Sequence, residues 1–115
     1  MNNRLEKAAC SPIPVKPSLF NPKCTLPYDL TTGHIRQAMN GFLDFLGFIN
    51  RQLYTKGIPR LESFVMPANF SSMVGEFMNI TIPKFCSGLV KNQYHNGHPD
   101  LIPKNKFPNN TQIKE

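Results

Sequence analysis

The chain has no tryptophan, only three cysteines, and seven acidic residues against thirteen lysines and arginines. Each scarcity excludes something. Cys10, Cys24 and Cys86 are odd in number and far apart, so neither a disulfide framework nor a Cys-x-x-Cys metal knuckle is written here. A reducing, cytoplasmic setting is expected. No apolar run approaches the roughly 20 residues of a membrane span, and residues Met1 to Cys10 are polar, without the apolar stretch of an export signal. The glycosylation-type triplets beginning at Asn69, Asn79 and Asn109 are therefore read as chance matches. A run of consecutive Lys or Arg, a nucleophile motif, a phosphate-cradling glycine loop, a dinucleotide fingerprint and an internal repeat are all missing.

What is present fits one small domain. The 115 residues are 40% hydrophobic and 17% charged, with nine phenylalanines to supply buriable area. That is not the composition of a disordered tail. Pro12, Pro14, Pro17, Pro22 and Pro27 fall close together near the start. Each removes a backbone donor and blocks helix, so residues 1–30 are expected to be an irregular proline-rich arm, with Val15, Leu19, Phe20 and Leu26 available to pin it to a body formed by residues 31–115. The net charge of +6 favours polyanionic partners, because cationic side chains neutralise phosphates and release their counterions.

Two helices are expected in the body. Ile35, Met39, Phe42, Leu43, Leu46, Ile49 and Leu53 recur with the 3.6-residue period of one helical face. Thr31 or Thr32 is placed to cap the start of this helix, and Gly57 and Pro59 to stop it after Lys56. The same wheel turns Arg36, Asn40, Asp44 and Arg51 to solvent. A second helix is expected over 69–82, capped by Asn69 or Ser71 and limited by Pro83. Beyond it, Leu89 to Tyr94 is an apolar–polar segment of undecided type. Asp100 to Pro103 reads as a short strand opened by Pro99, and Thr111 to Lys114 as a returning strand.

The residues that point to chemistry lie between these elements. Pro99 presets an extended backbone, and Asp100 then begins an apolar strand beside a glycine turn. A rigid carboxylate at a strand end, with open positions around it, suits a hard divalent cation; an ordinary turn aspartate would look the same. Glu76 is a lone acid in the uncharged run Ser71 to Met78, next to Gly75 and between Val74 and Phe77, and is expected near the packed side. His95 and His98 form His-x-x-His, but no further ligand stands at zinc-binding spacing. Tyr28, Tyr54 and Tyr94 lie near basic residues and could stack on bases.

With Glu76 on a helix and Pro99-Asp100 opening a strand, the stretch from about Phe64 to Phe107 resembles the front of a PD-(D/E)xK nuclease of the type II restriction-endonuclease kind. The resemblance covers under half of the chain. The family implies a mixed sheet flanked by helices, and the elements expected here make the chain an α+β front part of that fold: two main helices followed by a short, incomplete β-hairpin. It also implies magnesium held by Glu76 and Asp100, hydrolysis of double-stranded DNA within a restriction–modification system, and a homodimer or a further C-terminal segment as partner. The family's acidic-x-Lys triplet falls on Gln112-Ile113-Lys114. Lys114 would orient or activate the attacking water. Gln112 departs from the pattern: it offers magnesium a carbonyl oxygen without negative charge, which lowers affinity. A truncated, inactive nuclease remnant is therefore expected alongside the active form. The alternative is a non-catalytic basic module that binds nucleic acid or a partner protein.

Overall fold

A computed structural model describes residues 3–94 and 99–112. It is a mixed α+β structure: four helices and one two-stranded antiparallel sheet. Helix α2 (Thr32–Thr55) is the longest element. The Thr31 side chain accepts from the backbone N–H of His34 at 3.1 Å, and His34 Nδ1 accepts from the backbone N–H of Thr31 at 3.0 Å. Two donors that the helix start leaves unpaired are thus satisfied reciprocally. At the other end Gly57 takes a positive φ of 70°, which costs glycine nothing, and closes the helix as its position predicts.

Helix α4 (Pro67–Phe85) packs against α2. It starts two residues before the expected point. Pro67 at its first position gives up an N–H that would have had no helical partner, so Asn69 and Ser71 lie inside the helix instead of capping it. It also runs through Pro83, which cannot donate to the Asn79 carbonyl one turn back. Phe42 is the hub between the two helices. Its ring meets Phe70 and Phe77 edge-on, at centroid distances of 5.9 and 5.4 Å, the arrangement that ring quadrupoles favour. Phe42 and Leu46 are buried. Ile35, Met39, Leu43, Ile49 and Leu53 are half-buried, and Asp44 and Arg51 are exposed.

Two parts of the sequence reading need correction. The first residues of the expected arm form a helix, α1 (Asn3–Ala9). Leu5 to Ala9 are good helix formers and the first proline comes only at Pro12. From Cys10 to Leu30 the chain is irregular, with one 3-10 turn at Pro17–Leu19. Asn40, expected to face water, instead receives this segment. Its Oδ1 accepts from Val15 N–H at 2.7 Å, and its Nδ2 donates to Val15 O at 3.3 Å.

Helix α1 is fixed to the body by polar contacts. The Arg60 guanidinium and backbone N–H donate to Glu6 at 2.8 and 2.6 Å. Asn50 donates to Ala9 O and to Glu62 and accepts from the backbone N–H of Leu61. Leu61 opens α3, the single turn Leu61–Phe64.

The sheet pairs β1 (Leu89–Lys91) with β2 (Leu101–Pro103), with Val90 opposite Ile102 and Lys91 opposite Leu101. Ile102 is wholly buried. No third strand is formed at 111–112, although this segment lies beside the extension of β1. The molecule extends 50 × 33 × 19 Å. Its thinnest dimension is about two helix diameters.

Candidate metal centre

Asp100 immediately precedes β2. Side chains alternate across a strand, so Asp100 shares a face with Ile102, two residues on. On that face it meets α4: Asn79 Nδ2 donates to Asp100 Oδ2 at 3.2 Å. Asn79 stands three residues after Glu76. Residues at that spacing are surface neighbours on a helix, with Cβ atoms about 5–6 Å apart. Asp100 therefore contacts a residue one helical turn along α4 from Glu76.

Glu76 is not on the packed side, as its apolar neighbours had suggested; it is exposed. Phe70, Val74, Phe77 and Met78 occupy the arc of α4 that faces α2, and at 100° per residue Glu76 falls outside it. Asp100 is exposed as well. Both carboxylates are open to water, and neither bears the cost of an uncompensated buried charge.

Gln112 reaches the same region through one residue, Asn92. The backbone N–H of Asn92 donates to Asp100 O at 2.8 Å. Its side-chain Oδ1 accepts from Gln112 N–H at 3.0 Å, and its Nδ2 donates to Gln112 O at 2.8 Å. Next along, Gln93 N–H donates to Asn110 O at 2.8 Å. The expected returning segment is thus held beside β1 by a side chain. Lys114 lies outside the described residues, as do His95 and His98.

The chemistry of this donor set is hard oxygen. Two carboxylates and neutral amide oxygens suit magnesium, which commonly binds through one or two carboxylates and keeps several waters. Among the described residues no group of three or more His, Cys, Asp and Glu that could hold a metal ion is formed. The charged cluster of Glu6, Arg60 and Glu62 is taken up in docking α1, and an apolar cavity of about 130 Å³ lined by Val15, Met39, Phe42, Leu43, Val74 and Met78 offers no ionisable group.

Sequence reasoning missed Asn79 and Asn92. Asn79 appears there only as the first residue of a chance triplet. Asn92 carried a usable signal: it alternates with Val90, so an inward-facing β1 would bury an amide, and a buried amide needs partners. Among the described residues no helix is long and apolar enough to cross a membrane. Comparison with protein-family models, with curated proteins and with solved structures found no match.

Proposed function

We propose that the chain carries a PD-(D/E)xK-type, magnesium-dependent DNA-cleaving site, in which Glu76 and Asp100 share one cation. The observation that carries this reading is the contact of Asp100 with Asn79, one helical turn from Glu76. A helix acid and a strand-opening acid chosen from the sequence are thereby neighbours of one side chain.

In this reading Asn79 holds the Asp100 carboxylate toward α4, and Glu76 supplies the second negative oxygen donor. Bound magnesium would polarise a scissile phosphate and acidify a water. Gln112 stands where the family has an acid and brings a neutral oxygen, so the cation is held by two charges instead of three. Lys114 is the candidate for orienting the attacking water. The excess of lysine and arginine draws double-stranded DNA to the surface.

The neutral Gln112 also favours a second reading, a non-catalytic basic module that binds nucleic acid or a protein. Incubating purified chain with supercoiled plasmid and magnesium, with Asp100→Ala as control, separates the two. The nuclease reading expects salt-sensitive DNA binding with very slow cutting that Asp100→Ala abolishes; salt-sensitive binding with no cutting at all is the result expected of the basic module. Robust cutting lost in Asp100→Ala would establish a complete enzyme. Absence of both cutting and salt-sensitive binding would set the nuclease reading aside in favour of a protein partner.

A further inference from the structure

We infer that Asn92 is the positioning residue of this site, its side chain fixing Pro99, the residue before Asp100, and the Gln112 segment in one geometry. The inference rests on the cation reading of Glu76 and Asp100 and adds to it a residue that no sequence motif marks.

Asn92 is 6% exposed, one of the few buried polar residues of the molecule. Its amide makes four hydrogen bonds. Nδ2 donates to Pro99 O at 3.2 Å and to Gln112 O at 2.8 Å. Oδ1 accepts from Tyr94 N–H and from Gln112 N–H, both at 3.0 Å. An asparagine amide has two donors and two acceptor positions, so its capacity is filled. Its backbone N–H adds the bond to Asp100 O. Between its side chain and its backbone N–H, this residue therefore bonds Pro99 and Asp100 just ahead of β2, Tyr94 beyond the end of β1, and both main-chain groups of Gln112.

These bonds hold what regular pairing leaves unheld. The β1–β2 ladder has three residue pairs and stops at Lys91 and Leu101, one residue short of Asp100. The segment at 111–112 is in no ladder. A carboxylate that must meet a cation beside Glu76 needs its backbone fixed to within about half an ångström. A satisfied buried amide does this better than a frayed strand end, because any shift of one strand leaves an amide group unpaired in a dry place. Asn92 touches no cation itself; its side chain acts through Pro99, whose carbonyl belongs to the peptide unit that leads into Asp100, and through Gln112, while the backbone bond to Asp100 O is kept in any variant.

The test is terbium(III) titration of the full chain, read as luminescence sensitised by the tyrosines, with thermal melting recorded on the same samples. Asp100→Ala and Glu76→Ala test the site. Asn92→Ala tests the positioning, with Asn92→Leu as a second variant that fills the same space without hydrogen bonds. Saturable binding is expected in the wild type and loss of it in Asp100→Ala. Both Asn92 variants are expected to bind roughly tenfold or more weakly at temperatures well below their melts, the usual effect of removing a group that orients a metal ligand. If Asn92 merely stabilised the fold, melting would fall and affinity of the folded protein would stay at the wild-type value. Wild-type affinity in either folded Asn92 variant, with Asp100→Ala still defective, would overturn the positioning role and leave the cation reading standing. No saturable binding in the wild type, or binding indifferent to Asp100→Ala and Glu76→Ala, would overturn both.

Discussion

Glu6 shows what single residues contribute and what the sequence conceals. It sits in a polar stretch of seven helical residues and is 5% exposed. Its partner, Arg60, is fifty-four positions away and binds it through both side chain and backbone. No local pattern announces a contact of that separation, which is why the start of the chain reads as a loose arm. Asn92 and Asn79 are hidden for the same reason: each takes its meaning from a segment that only the fold brings near. The place of Asp100 at the head of β2 was legible because a proline precedes it and the apolar strand follows directly. Removing Glu6 leaves the Arg60 guanidinium in a mostly buried place without its counter-charge. Glu6→Ala is expected to lower stability by about 3 kcal/mol, measured by urea denaturation, and to detach α1. An unchanged denaturation midpoint would mean that α1 contributes nothing to the folded body.

At the scale of elements, α2 was the most legible part of the fold, because every signal that makes it is local: a threonine cap, a 3.6-residue stripe, and Gly57 and Pro59 at its end. Its central residue Leu46 is 6% exposed, and Leu46→Ala is expected to cost about 2–5 kcal/mol. Helix α4 was placed correctly in its middle and two or three residues short at both ends: Pro67 occupies the first turn, where its missing N–H costs nothing, and the helix continues two residues past Pro83. Glycine substitutions separate helix propensity from packing. A Cβ at Gly75 would meet nothing within 4 Å, so Gly75→Ala is expected to raise stability by about 0.5–1 kcal/mol. A Cβ at Gly47 would stand 2.9 Å from Pro12 Cδ and 3.2 Å from Cys10 O. Gly47→Ala is therefore expected to lower the melting temperature despite the better helix former, by pushing the 10–12 segment off α2. Equal effects of the two substitutions would show that this segment does not press on the helix.

At the scale of the whole molecule, flatness and charge decide how the chain behaves. Its Cα radius of gyration is 16.8 Å, against about 13 Å for a compact domain of this length. A body only 19 Å thick leaves large apolar side chains at its surface, among them Phe48, Phe64 and Ile80, each about half exposed or more. The six excess positive charges act over this broad surface. DNA affinity, measured by fluorescence anisotropy, is expected to fall with salt at a log–log slope of about −0.9 for each phosphate neutralised. A slope near zero would remove DNA from consideration as a partner. The mixed α+β architecture was legible from the alternation of periodic and turn-rich segments, whereas the amide-held geometry around Asp100 was not, because a three-pair ladder has almost no sequence signature. Paramagnetic broadening by manganese(II) in an amide-resolved NMR spectrum decides whether Glu76 and Asp100 hold one cation between them. Substoichiometric manganese is expected to broaden residues 75–80 and the neighbourhood of Asp100 first, and to do so no longer in Asp100→Ala. Broadening that is uniform, or centred away from both acids, would contradict the account.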